Sequence, residues 1–181
     1  TYAAFRLESE RFPGLTAKDG SYSKQEFIDL QRMGLEYGVR IIPEIDIPAH
    51  SLAFAHYKPE IASRKYGMDH LDLYKKETYQ FVDSLLDEYL SGDNPVFIGD
   101  LHIGTDEYNK KEAEQYRYFT DRYLKFVEKY GKNVRMWGGL KWLPGKTPVK
   151  AEGVTVNAWS YDWVDPVVSL QEGYKLSLIH I

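Results

Sequence analysis

Two adjacent carboxylates, Asp106 and Glu107, stand in the segment His102-Ile103-Gly104-Thr105-Asp106-Glu107-Tyr108, directly after an apolar run. Two carboxylates held close resist ionising together, so one keeps its proton nearer neutral pH and can serve as a general acid. In a regular strand, neighbouring side chains point to opposite faces. The pair therefore serves one site only if the strand ends or bulges there, and Gly104 permits such a break. The competing reading is a solvated loop pair, or acids gathered at a helix start to suit its dipole. A second chemical segment is Ile42-Pro43-Glu44-Ile45-Asp46-Ile47-Pro48-Ala49-His50-Ser51. Glu44 and Asp46 share a face if the strand persists. An Asp near a His can fix its tautomer and raise its basicity. The plain alternative for His50 is a hydrogen-bonded structural histidine.

These segments need elements to hold them. Ser23-Lys24-Gln25-Glu26 is a capping box. Phe27, Leu30 and Tyr37 follow at helical spacing, and Gly38 is a natural stop. The run 39–45 reads as a buried strand centred on Ile41 and Ile42, with Pro43 marking its end or irregular pairing. Residues 70–73 read as a very short strand. Phe81, Val82, Leu85, Leu86, Tyr89 and Leu90 make one apolar stripe on a helix over 77–90. An apolar run over 96–103 is interrupted by Gly99-Asp100. A third helix spans 110–130, with Tyr116, Phe119, Tyr123, Leu124 and Val127 on one side. Strands at 134–137 and 154–159, a short helix at 166–172 and a final run at 174–181 complete the pattern.

Strand and helix alternate throughout, which places the chain in the α/β class. Either a doubly wound sheet or part of a (β/α)8 barrel fits. No GxGxxG or GxxxxGK[ST] follows a strand, which weakens a nucleotide-binding reading. Asp46 and His50, Asp106 and Glu107, Trp137 and Trp159 all fall just after strands, where barrel enzymes keep their chemistry. The 181 residues carry a net charge of −4, which argues against a nucleic-acid partner. No apolar stretch approaches the ~20 residues that span a bilayer. Without cysteine there is no disulfide, zinc-thiolate site or thiol nucleophile. The aromatic content of 15% hints at sugar stacking only weakly, since on composition alone core and rim packing explains it better.

IIPEIDIPAHS resembles the VIPEIDMPGHS motif of glycoside hydrolase family 20, the β-N-acetylhexosaminidases, and HIGTDE resembles that family's HIGGDE. Phe5-Arg6-Leu7-Glu8, Phe12-Pro13-Gly14-Leu15 and the capping box resemble the approach to the first motif. The resemblance runs in order over about residues 4–175, and two long motifs in sequence make it specific.

It implies a (β/α)8 TIM barrel and release of terminal β-linked N-acetylglucosamine or N-acetylgalactosamine, without cofactor or metal. It also implies a substrate-assisted mechanism in which the 2-acetamido oxygen attacks the anomeric carbon. By resemblance, Glu107 is the general acid/base, and Asp106 orients the acetamido N–H and stabilises the cationic intermediate. Asp46 and His50 support the acid, and Trp137 and Trp159 wall the sugar pocket. His102 is read as a supporting residue. The partner so implied is a glycan or glycoconjugate ending in N-acetylhexosamine, often met outside the cytoplasm.

Two departures stand out. Thr105 and Ala49 each occupy a position where the family usually has Gly, adding a Cβ at a tight turn. A (β/α)8 barrel also needs about 250 residues. The family's first strand would precede Thr1, and the last strands would follow Ile181. The expected architecture is thus an incomplete barrel over 1–175. Residues 176–181 (Leu-Ser-Leu-Ile-His-Ile) are either a seventh-strand remnant or translated adapter sequence. Unpaired strand edges favour aggregation, so the 181-residue chain alone is expected to be poorly soluble and inactive, and the activity belongs to the parent protein.

Two other functions fit less well. A non-catalytic glycan binder on the same barrel would not need both Asp106 and Glu107. A metal-dependent hydrolase could use Asp46, His50, His102 and Asp106, but a spacing of four after a strand does not bring two ligands together as it would on a helix.

Overall fold

The structure is a computed structural model that describes residues 3–105 and 107–178. In chain order its elements are α1 (Lys24–Glu36), β1 (Glu44–Ile47), α2 (Leu52–Tyr57), β2 (Ala62–Ser63), β3 (Gly67–Leu71), α3 (Lys76–Leu90), β4 (Leu101–Gly104), α4 (Ala113–Glu128), β5 (Val134–Trp137), β6 (Val154–Ala158), α5 (Pro166–Gln171) and β7 (Lys175–Leu178). The chain divides into two compact units. One runs to Pro43 and takes in His50–Asp100; the other takes in Glu44–Ala49 and the chain from Leu101 onward.

In the first unit, α1 starts at the expected capping box. Ser23 Oγ accepts from the Glu26 amide at 3.1 Å, and the Ser23 amide donates to Glu26 Oε2 at 2.7 Å. Each bond satisfies an amide that the first turn leaves without a helical acceptor. Ser23→Ala is expected to cost about 1 kcal/mol, read as a small fall in unfolding temperature. The buried Gln31 on α1 reaches across to residues 96–98. Its Nε2 donates to the Val96 carbonyl at 2.7 Å, and its Oε1 accepts from the Ile98 amide at 3.1 Å. An amide side chain thus takes backbone bonds that a neighbouring strand would otherwise make. Only the last part of the apolar run 96–103 becomes strand, as β4.

The stripe predicted on α3 is buried as read, from Phe81 to Leu90. Phe81 packs on Phe12 and Phe54, and Tyr89 stacks on Phe97 at 5.1 Å. The expected strand at 70–73 is instead β3, paired antiparallel with β2 in a two-stranded hairpin.

The second unit is a five-stranded parallel sheet in the order β1-β4-β5-β6-β7. Spatial order follows chain order, as in a barrel wall; a doubly wound sheet reverses direction at its switch point. The strand expected at 39–45 is shifted. Residues 39–43 lie outside the sheet, and pairing begins at Glu44. Pro43 has no N–H to give a ladder, so the strand forms only after it.

Register puts Glu44, His102, Arg135, Thr155 and Lys175 side by side across the five strands. Leu101, Val134 and Val154 form the preceding row, buried on the opposite face. One face is therefore apolar and the other polar. Helix α4 packs against β4 and β5 and buries Tyr116, Phe119, Tyr123, Leu124 and Val127. Among the described residues no helix is long and apolar enough to cross a membrane.

Candidate active site

Strand β4 ends at Gly104, as a shared site for the acid pair requires. Gly104 has φ +71°, and a Cβ there would stand 1.8 Å from Asp46 Oδ1 and 2.6 Å from the Asp46 Cα. The missing side chain lets β1 and β4 close tightly at Asp46, whose carboxylate is itself buried.

The chain then turns through left-handed backbone at Thr105 (φ +69°) and Glu107 (φ +40°), a conformation that costs an L-residue about 1–2 kcal/mol. Buried bonds hold Thr105 in place. Its amide donates to the Ile47 carbonyl at 2.9 Å, its hydroxyl donates to the Gly104 carbonyl at 2.6 Å, and its carbonyl accepts from the Tyr116 hydroxyl. The Gly-to-Thr departure thus falls where positive φ is demanded. The other departure does not: Ala49 is fully buried with ordinary φ, and the left-handed residue there is His50 (φ +52°).

Glu107 itself is exposed, beyond the strand end. Asp106 lies outside the described residues. Asp46 stands on β1 in the sheet unit, and His50 belongs to the other unit.

Trp137 closes β5 on the polar face, half-buried. Its Nε1–H donates to Glu44 Oε1 at 2.9 Å, and its ring lies 4.8 Å from the His102 imidazole. Trp159 follows β6. Its Nε1–H donates to the Gly138 carbonyl at 3.0 Å, so this N–H is already engaged. Its ring lies 5.4 Å from Trp163, which stacks on Trp142 at 4.8 Å, and the Lys110 ammonium sits 3.1 Å from the Trp142 ring centre. The sequence reading missed this ladder of three indoles closed by a cation. One signal was available: all four tryptophans of the chain fall between positions 137 and 163.

His102 is buried at 3% exposure. Its Nδ1 accepts from the Gly104 amide at 3.1 Å, which leaves the ring proton on Nε2. Among the described residues Nε2 has no hydrogen-bond partner. Burial pushes the imidazole down to about 4; Asp46 opposes that shift and Arg135 adds to it. Glu44 Oε2 also faces the ring, 3.8 Å from Nδ1.

A histidine that stays neutral when folded but takes a proton near pH 6.5 when unfolded makes folding weaken as acid is added. The stability is fully present above about pH 6.5 and falls as pH drops toward 4, by roughly 3 kcal/mol. Comparing the urea midpoints of the complete protein and His102→Gln at pH 7 and pH 4.5 tests this. The wild type should lose ground against the variant at the lower pH.

Among the described residues no three His, Asp or Glu side chains form a group that could hold a metal ion. The sheet unit carries an exposed carboxyl at Glu107 beyond the end of β4, a buried carboxylate at Asp46 on β1 and indoles at Trp137 and Trp159 at the ends of β5 and β6. Such a set suits acid/base chemistry on a neutral ring compound.

Comparison with known proteins bears on what that compound is. A sequence model described as "Glycosyl hydrolase family 20, catalytic domain" matches residues 2–117. The β-hexosaminidase subunit A1 of Dictyostelium discoideum is 30% identical over 115 residues, covering 58% of this chain and 21% of that protein. The solved GH20 β-N-acetylhexosaminidase of Streptomyces coelicolor A3(2) matches with a TM-score of 0.79 at 25% identity, covering 97% of this chain and 39% of that one. A mutant Streptomyces plicatus β-hexosaminidase in complex with its product GlcNAc matches with a TM-score of 0.78 at 25% identity, covering 98% of this chain and 39% of that one. The chain spans about a fifth of the length of curated relatives such as the Dictyostelium protein.

Proposed function

Because this chain belongs to glycosyl hydrolase family 20, we propose that the whole protein carrying it removes terminal β-linked N-acetylhexosamine from glycans by a substrate-assisted, retaining mechanism. The observation that carries this reading is the exposed Glu107 on the turn beyond β4, at the end of a parallel barrel strand where such enzymes keep their catalytic groups.

In this mechanism the substrate's acetamido oxygen attacks the anomeric carbon while the glycosidic C–O bond breaks. Glu107 gives its proton to the departing oxygen, and an oxazolinium ion forms. Water then attacks the same carbon from the vacated side and yields its proton to the Glu107 carboxylate. The acetamido group is restored and the anomeric configuration retained. Asp106 holds the acetamido N–H and offsets the positive charge of the ring that forms. Asp46 supports these acids. Trp137 and Trp159 enclose the sugar, stacking on its apolar faces and on the acetamido methyl.

The test compares two chromogenic substrates on the complete protein, a β-N-acetylglucosaminide and the β-glucoside with hydroxyl at C2. Substrate assistance predicts turnover of the first and at least a thousandfold less of the second, because the nucleophile has been removed (effective molarities of internal nucleophiles are about 10⁵ M or more). Comparable rates on both would point to an enzyme nucleophile. No turnover of gluco, galacto or extended N-acetylhexosaminides would point to a non-catalytic glycan binder.

A further inference from the structure

Glu44 has no part in the chemistry above, yet it reaches a residue that does. Register places Glu44 of β1 beside His102 of β4, and His102 beside Arg135 of β5, two residues before Trp137. Glu44 Oε1 accepts the Trp137 indole N–H at 2.9 Å, and the buried imidazole of His102 packs on the indole with ring centres 4.8 Å apart at 58°. His102 cannot compete for the carboxylate. Its Nδ1 is occupied by the Gly104 amide at 3.1 Å, and Glu44 Oε2 stands 3.8 Å away. The carboxylate is left with an oxygen for the indole, and a bond from a neutral donor to an ionised acceptor is among the stronger kinds.

A tryptophan at the last position of a strand has rotamer freedom that neither pairing nor the apolar core removes. Here a carboxylate two strands away fixes the N–H edge and an imidazole on the strand between fixes the ring.

We propose that Glu44 is a positioning residue: by accepting the Trp137 indole N–H against the His102 ring, it sets the orientation of the indole that receives the substrate's acetamido group. The proposal rests on the hexosaminidase reading for the identity of the ligand, but the indole geometry stands apart from it.

Glu44→Gln keeps an acceptor oxygen in place and Glu44→Leu removes it. In the complete protein, Glu44→Leu is expected to lower kcat/KM on a β-N-acetylglucosaminide by 10- to 100-fold, the range in which misplacement of about 1 Å acts. Glu44→Gln is expected to stay within threefold of wild type. Adding Trp137→Phe to Glu44→Leu should cost little more than either change alone, because both act on one indole. Additive losses, or a Glu44→Leu variant with a lowered unfolding temperature and unchanged kcat/KM, would overturn the proposal and leave Glu44 a structural residue.

A second readout needs no turnover. The indole N–H resonance of Trp137, identified by its loss in Trp137→Phe, should be protected from exchange in wild type and Glu44→Gln and lose that protection in Glu44→Leu. An unchanged resonance in Glu44→Leu overturns the proposal even where the enzyme is active. A wild type without activity but with the expected loss of protection refutes the hexosaminidase reading and leaves Glu44 as the residue that orients Trp137.

Discussion

Glu107→Gln in the complete protein is expected to lower kcat on an alkyl β-N-acetylhexosaminide by roughly two to four orders of magnitude, with KM little changed. The amide is close in size to the carboxyl, so the left-handed backbone at Glu107 keeps its conformation and the sugar keeps its contacts. What is lost is a proton for the departing oxygen and a base for the incoming water. The loss should depend on the leaving group. An alkyl alcohol departs poorly without protonation, whereas a dinitrophenolate departs readily without it. The first step should therefore suffer much less with the activated aryl substrate, and slow attack by water should become limiting. Equal losses on both substrates would mean that the residue acts in binding or orientation, and an unchanged kcat would move the acid elsewhere.

Gly104→Ala is the largest structural effect expected. The added Cβ meets the Asp46 Cα at 2.6 Å and Oδ1 at 1.8 Å, and it does so at φ +71°. A flexible side-chain end could swing aside, but a neighbouring strand's Cα cannot, so β1 and β4 must separate or β4 must deform. A loss above about 3 kcal/mol is expected, with unfolding several degrees lower. Activity should fall with it, because the same backbone aims Glu107. Gly153→Ala supplies the control, since Gly153 has φ +77° but no atom within 4 Å of the added Cβ. That change carries only the cost of the left-handed backbone, about 1–2 kcal/mol. Thermal unfolding of both variants separates clash from strain. Equal shifts would show that the close approach to Asp46 is not what Gly104 provides.

Much of this was legible in the residues. Ser23 and Glu26 announce the start of α1, and the α3 stripe was read position by position, because local spacing decides both. Gly104 signalled the end of β4 because only a break lets neighbouring acids share a site. The misses have two causes, one local and one distant. The apolar run before β1 looked like strand, but Pro43 denied it a donor and pairing began one residue later. The run before β4 looked like strand as well, but Gln31 captures its backbone from α1.

The ring of polar residues along one face, from Glu44 through His102 and Arg135 to Thr155, is set by register between strands, which no single segment reveals. The candidate site was legible chiefly through its two motifs. The engagement of Trp159 with Gly138 and the Lys110–Trp142–Trp163 ladder depend on loops whose courses have no local signature. Thr105 shows both sides. Its departure from the family's Gly was visible, and its positive φ matches the strain that departure suggested, whereas the same expectation at Ala49 failed because His50 takes that conformation.

The most direct test of the central claim is inhibition of the complete protein by a thiazoline that mimics the oxazolinium ion. The assay follows hydrolysis of a chromogenic β-N-acetylglucosaminide. Substrate assistance predicts turnover and competitive inhibition by the thiazoline far tighter than by N-acetylglucosamine itself, as an analogue of a high-energy intermediate should show. Turnover indifferent to the thiazoline would contradict the account, because the ring that Asp106 and Trp137 are assigned to hold would then never form.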